Sequence, residues 1–420
     1  MKELARRLLA SATQESVRVI SAGDLAVPRT PWPALLAATM MLAGMDARAQ
    51  CPATELISGL QIPLGITQSN QDNLIIAETG TPEPNTGRIS IVDLDGNRRT
   101  LLDGLPSGLN DIREPSGPAG VFLRGRTLYV AIGVGDVVIA GPVPTTQLPN
   151  PDPPSSPILS SVLAVHFSAH VEKITEGFTL SLDDHEALAD GERVKLSNGA
   201  GDKATVELIA DFVNFIPNPL APFEGAVRAS NPFDLVAVGN ELFVTDGGRN
   251  LVWRVDIDSG EVSQLAQFPP IPNTFPVGGP VIEAVPTGIR YSDGQLLVTL
   301  FRGVPFGPGT SDVERIDPVS GSHSSFIDGL KTAIDVVPLR DGADTDWLVL
   351  QHASEGLFFG SSGSVLRFET PDGAPTVIAG GTVDSEFCLT RPSSMTLDEK
   401  TGTLYVTELN GRLVAIPIGP

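Results

Sequence analysis

Cysteine and histidine are scarce in this sequence, at two and five of 420 residues. The cysteines are too far apart for a zinc knuckle, and His185-Glu186 is followed by Ala-Leu-Ala-Asp, so no HExxH helix is completed. Basic charge is short as well: 28 Lys+Arg face 50 Asp+Glu, for a net charge of −22. So acidic a chain repels a phosphate backbone instead of releasing its counterions, which argues against nucleic acid as a partner. Long apolar runs are lacking too, since the run at residues 33–45 (PALLAATMMLAGM) is too short to span a bilayer as a helix. What is abundant is punctuation. Gly (43) and Pro (36) interrupt a chain that is still 41% hydrophobic, a composition that suits many short strands and argues against coiled coils and helical bundles.

The first segment reads as an export signal. Arg29 precedes the apolar run, and Ala47-Arg48-Ala49 sets small residues at −3 and −1 of a cleavage before Gln50. Residues 1–49 are therefore expected to be a signal or targeting segment, and 50–420 a single mature domain that is periplasmic or extracellular and does not insert in a membrane once the signal is removed. Cys51 lacks the aliphatic and small residues of a lipoprotein site before it.

Internal repeats determine the expected architecture. Apolar segments recur at 74–78, 128–131, 242–246, 296–299, 347–350 and 404–408, with spacings of 54, 114, 54, 51 and 57 residues. Upstream of five of them stands a proline opening a short apolar strand (Pro63, Pro118, Pro232, Pro286, Pro392), with Ala333-Ile334-Asp335 in the sixth place. Downstream, alternating runs lie at 88–92, 162–165, 251–255, 313–316, 365–368 and 413–416. A fourth, shorter strand closes units at 101–105 and 326–330; the last unit lacks one, and the same pattern appears instead at 56–60. The fold class predicted is all-β: a six-bladed β-propeller of four-stranded antiparallel blades, its N-terminal strand completing the last blade, which protects both chain ends from edge pairing. Turns at 93–97, 256–260, 317–321 and 370–373 fall at equivalent places and supply Asp and Gly for hairpins. Asp93-x-Asp95-x-Asn97 resembles a calcium loop only briefly, without the later Gly and Glu an EF-hand needs.

The double-length spacing raises the alternative of seven blades. Residues 132–241 lack the paired first and second strands, and six blades are expected, with blade-2 insertions at about 134–160, which is Pro-rich, and 168–203, with strand candidates and the acidic cluster Asp183, Asp184, Glu186 and Asp190.

Segments 231–236 (NPFDLV), 242–255 (LFVTDGGRNLVWRV) and 258–270 resemble an NHL-type propeller repeat. With 278–280 (GGP), 284–288 (AVPTG) and 304–309 (VPFGPG), the chain resembles the ScyD/ScyE family, proteins encoded with scytonemin biosynthesis. The resemblance implies an exported propeller accessory to small-molecule or envelope processes, and carries no catalytic residue over.

Candidate chemistry must come from the residues. His166 and His170, four apart near a strand end, do not share a helical face, and 360–364 (GSSGS) lacks the last Gly of a nucleophile elbow and reads as a loop. Asp234 and Asp335, at the starts of innermost strands, could face the channel as calcium ligands, with Asn110 or Asp111 joining them; equivalent positions elsewhere are Gly65, Gly120, Gly288 and Ser394. The competing account has both aspartates bonding backbone amides at the strand starts. Glu78, Asp246 and Glu408, which end second strands, recur and so suggest a structural role. Cys51 and Cys388 are the disulfide candidate; the antiparallel strand order, which would set them about a strand length apart and beyond the ~7 Å Cα reach of a bridge, weighs against the pairing. The function expected is a non-catalytic exported scaffold, without cofactor, that binds a protein or small-molecule partner on a loop face. The alternative is a calcium-dependent hydrolase or lactonase using the channel, as in gluconolactonase-like and paraoxonase-like propellers.

Overall fold

The structure is a computed structural model that describes residues 51–218, 221, 223–341 and 344–419. The expected signal segment, 1–49, lies outside the described residues.

Six antiparallel sheets follow one another along the chain. Sheet 1 comprises Pro63–Gln68, Leu74–Glu78, Gly87–Val92 and Arg98–Leu105; sheet 2, Pro118–Arg124, Thr127–Ile132, Ser161–Phe167 and Lys203–Asp211. Sheet 3 is Pro232–Val238, Glu241–Asp246, Leu251–Asp256 and Val262–Gln267; sheet 4, Pro286–Ser292, Gln295–Leu300, Ser311–Ile316 and His323–Leu330. Sheet 5 is Ala333–Asp341, Asp344–Gln351, Ser364–Phe368 and Thr376–Gly380. Sheet 6 joins Pro392–Asp398, Thr403–Glu408 and Arg412–Pro417 to Thr54–Ile57 from the other end of the chain.

That N-terminal strand begins two residues earlier than the 56–60 pattern, with Thr54 opposite Ala415 and Ile57 opposite Leu413, and the Leu60 amide donates to Gly411 O at 3.0 Å. The expected pairing is therefore present, displaced toward the chain start.

Period-2 alternation in the second strands explains the core. Ile75 and Ala77 pack toward sheet 2, whereas Leu74 and Ile76 pack toward sheet 6; Leu242 and Val244 face sheet 2, and Phe243 faces sheet 4. Both faces of these strands are buried, and the six apolar clusters lie between successive sheets, one of them between sheets 6 and 1. The first strands touch in the same order, from sheet 1 to sheet 6 and back to sheet 1. Ser393 Oγ of sheet 6 donates to Pro63 O of sheet 1 at 2.6 Å.

Residues 132–241 depart from expectation. Val138–Ala140, Gln147–Pro149, Val227–Ala229 and Phe215–Pro217 form a further four-stranded sheet in that order. Its strands pair with one another and extend no blade-like first strand toward the ring. Within 168–203 the structure has strands, as expected, and sets the acidic cluster in and just after helix α1, Leu182–Ala189, which the sequence reading did not foresee and which Ser181 and Asp184 start with a reciprocal capping box. Phe178–Thr179 adds a parallel fifth strand to sheet 1, and Val194–Ser197 an antiparallel fifth strand to sheet 2, so this insertion covers two outer edges.

The candidate pair Cys51 and Cys388 forms a disulfide with Cα atoms 5.3 Å apart, although the strand-order argument weighed against it. The strand-length argument assumed that the chain continues along the sheet ahead of its first strand. Instead residues 51–53 leave the ladder, and Cys51 and Ala53 pack into the seam between sheets 5 and 6, on the cluster holding Cys388 and Leu389.

Candidate functional site at the axis and loop face

Each first strand opens on a β-bulge: the register shifts after Pro63, Pro118, Pro232, Pro286, Ala333 and Pro392. The bulge brings the second and third residues of each strand to the middle of the ring, where Leu64, Gly120, Asp234, Gly288, Asp335 and Ser394 meet with no room between them for a water molecule. Glycine is required where neighbours crowd: a Cβ on Gly120 would sit 2.5 Å from Asp234 Cα, and one on Gly288 2.8 Å from Asp335 Cα.

Asp234 and Asp335 are both placed here, and one arginine lies between them. Arg290 Nη1 donates to Asp234 Oδ2 at 2.7 Å, and Nη2 to Asp335 Oδ2 at 2.8 Å. Backbone amides supply the rest: Leu235 N and Ile289 N to Asp234 at 2.9 and 3.1 Å, Val336 N and Met395 N to Asp335 at 2.8 and 2.9 Å. Ser394 Oγ adds a bond to Asp335 at 2.9 Å. Burial pushes the Asp335 carboxyl upward, opposed by Arg290. Burial alone would lower the Arg290 guanidinium, but Asp335 and Asp234 outweigh it and hold it above its ordinary value. The backbone-amide account therefore describes both aspartates. A calcium ion would have to displace the guanidinium that bridges the two carboxylates, so these residues do not fit a metal.

Asn110 and Asp111 are not brought to this point. They lie in the turn between Gly108–Leu109 and Pro115–Ser116, where Asn110 Oδ1 accepts from Ile112 N and Glu114 N. His166 bonds Thr127 Oγ1 at 3.0 Å and Glu207 Oε1 at 2.6 Å, while His170 precedes a short 3-10 turn with no shared ligand. Residues 360–363 are a loop, with Ser362 Oγ tied to Leu389, and Ser364 already opens a strand of sheet 5.

Sequence reasoning overlooked Arg290. Its signal was legible: where the other first strands carry Thr67, Phe122, Val236, Val337 and Thr396, the fourth carries the one charged side chain.

The carboxylates ending second strands tie each sheet to its own entry. Glu78 accepts from Gln61 N, Asp246 from Asn231 N and Glu408 from Thr390 N, at 2.5, 2.8 and 2.5 Å. Gln351 does the same for Lys331 N at 2.7 Å, a fourth member that the search for carboxylates missed. Burial raises the carboxyls of Asp246 and Glu408. At the opposite end, Asp93 accepts from the side chain and amide of Asn97, Asp256 from the hydroxyl and amide of Ser259, and Asp317 from the amide and hydroxyl of Ser320; those hydrogen bonds lower their carboxyls, and the Asp93 segment is a hairpin turn.

The two ends of the ring differ. Most connections at the end carrying Asp93, Asp256 and Asp317 are short turns. The first-strand end bears the further sheet, the hairpins Ile271–Pro272/Val281–Ile282 and Thr382–Val383/Glu386–Phe387, and the loops 301–310 and 352–363. Ile112, Val213, Val277, Phe358 and Phe387 are exposed on it. Between the last two loops, Phe301 and Phe359 pack against His352 and Phe306 packs on both phenylalanines, with ring centroids 4.5–6.1 Å apart. His352 Nδ1 donates to Pro392 O at 2.9 Å, which leaves Nε2 toward Arg391 Nε at 3.4 Å. Burial holds His352 down at about 4, and Lys331 down at about 8.

No protein-family model matches the sequence, and no curated protein does. Among solved structures it is similar to a catalytically inactive virginiamycin B lyase from Staphylococcus aureus with quinupristin (15% identity, 86% of this chain and 98% of that one, TM-score 0.41). It is also similar to a gluconolactonase from Xanthomonas campestris (12%, 87% and 89%, 0.45) and a putative glucose dehydrogenase from Thermus thermophilus (16%, 86% and 98%, 0.44). At these identities and TM-scores they assign neither activity nor residue roles to this chain.

Proposed function

We propose that this chain is a six-bladed β-propeller that works by binding, on its loop-bearing face, and not by chemistry in the axial channel. The observation that carries the reading is the Asp234–Arg290–Asp335 closure: the position where a channel enzyme would expose metal or substrate ligands is filled by a guanidinium that bridges the two carboxylates. The asymmetry of the two ends supports it, since elaborated loops and exposed apolar side chains concentrate on one of them, as a recognition surface does. We take the protein to be exported through residues 1–49, ScyD/ScyE-like, and to meet a protein or small molecule outside the cytoplasm. The Cys51–Cys388 disulfide supports an oxidising compartment.

The test is metal retention and turnover. Purified protein dialysed exhaustively against calcium-free buffer is expected to hold no stoichiometric calcium by elemental analysis, and to hydrolyse neither lactones nor aryl esters. Calcium retained one to one, and lost in Asp234→Ala or Asp335→Ala, would overturn the reading in favour of the channel hydrolase.

A further inference from the structure

Lys331 and Arg391 are cations on the loop face without an ion-pair partner among the described residues. The lysine is 2% exposed, yet among the described residues its Nζ has a single acceptor, Phe358 O at 2.8 Å, which leaves ammonium hydrogens unused. Glu355 is near enough to favour the charged amine but makes no ion pair with it. Arg391 spends Nε on His352, lays its guanidinium 5.8 Å from the centroid of Phe359, and has no carboxylate partner among the described residues for Nη1 or Nη2. That edge is the part of arginine that grips a carboxylate bidentately, and stacking on a ring holds the plane in place for it.

The surroundings restrict what such an anion can be. Phe301, Phe306 and Phe359 are only partly buried, and Phe358 is 48% exposed, so the cations adjoin an aromatic surface still open to solvent. His352 is neutral at physiological pH, burial being the main cause of its lowered pKa and the two cations adding to it, so it contributes no third positive charge. With the carboxylate of Glu355 near Lys331 offsetting one of the two positive charges, the arginine and lysine leave a single net positive charge that matches a monoanion, and the phenylalanines match a flat apolar body attached to it.

We propose that the loop face carries an anion subsite between sheets 5 and 6, where Arg391 and Lys331 hold the carboxylate of a small aromatic acid whose ring lies on Phe358 and Phe359. This rests on the reading of the loop face as the binding face and names the ligand class for it.

The experiment titrates benzoate, with benzamide as its uncharged counterpart, into the purified chain and follows binding by ligand-observed NMR. Benzoate is expected to bind saturably in the millimolar range and at least tenfold more tightly than benzamide. Arg391→Gln is expected to weaken benzoate at least tenfold. Phe358→Ala, at an exposed position that leaves the melting temperature in place, is expected to weaken it several-fold and serves should the arginine variant fold poorly. Equal binding of benzoate and benzamide, non-saturable binding, or wild-type affinity in Phe358→Ala or a folded Arg391→Gln would overturn the proposal. Displacement of benzoate by an equal concentration of inorganic phosphate would also overturn it, in favour of a general anion site. Failure on any of these counts leaves the axial closure standing, since that is judged by calcium retention and turnover alone.

Discussion

Arg290 is the residue on which the axial arrangement turns. Removing one member of a buried ionic group strands the others, which costs about 3–5 kcal/mol, more than the group contributes when compared with an apolar replacement of the whole. Arg290→Met is therefore expected to destabilise by that amount in urea unfolding, and the triple change Arg290→Met, Asp234→Asn, Asp335→Asn to recover a good part of it. A single variant as stable as the parent would show that the two aspartates do not depend on the bridging guanidinium. His352 makes a different prediction. Burial lowers it to about 4, whereas in the unfolded chain it titrates near 6.5. Between those values the unfolded chain binds more protons, so its contribution to stability is complete above ~6.5 and is lost as the pH falls through ~4, a difference of about 3 kcal/mol. His352→Gln should flatten the stability profile across that window; an unaltered slope would assign the acid sensitivity to other groups.

Among the elements, recurrence separated structure from candidate function. Glu78, Asp246, Glu408 and Gln351 each reach back to an amide at the entry of their own first strand, a role that depends on acceptor geometry and so admits a glutamine. The insertion at 168–203 shows the limit of pattern reading. Its helix is fixed by the Ser181–Asp184 cap, but its reason for folding is the pair of sheet edges it covers, which no local pattern displays. The disulfide belongs to this scale too. Closing a loop of 337 residues constrains the unfolded chain strongly, and its loss should cost about 2–5 kcal/mol. Unreduced, denatured protein is expected to show no titratable thiol, and Cys388→Ser to melt several degrees lower; two titratable thiols in the unreduced protein would refute the bridge.

For the molecule as a whole, closure is the property that binds the sheets into one cooperative unit. The cluster between sheets 6 and 1 holds Leu60, Leu74, Ile76, Tyr405 and Leu413, from opposite ends of the chain. Deleting residues 51–60 removes the outer strand of sheet 6 and exposes its edge, so the truncated protein should aggregate and become sensitive to proteases first within sheets 6 and 1. A soluble, protease-resistant truncation would mean that the seam adds little.

Much of this was written in the chain. Period-2 alternation, proline openings and the Asp-Gly turns specify strands and hairpins through contacts a few residues long, so the strand triplets were legible, as was the unpaired strand pattern at the chain start. The aspartates at strand starts could be named from the repeat as well, because the bulge recurs in every first strand, including the one that opens on Ala333. What the tertiary structure alone decided involves groups distant in sequence whose meeting depends on twist and ring geometry: Arg290 crossing to Asp335 and Asp234, Cys51 turning into the seam that holds Cys388, the further sheet assembled from Val138–Ala140, Gln147–Pro149, Phe215–Pro217 and Val227–Ala229, and Arg391 and Lys331 beside the phenylalanines with no ion-pair partner among the described residues. Local periodicity sets which face of a strand is apolar; only the packed ring sets which charged side chains find one another.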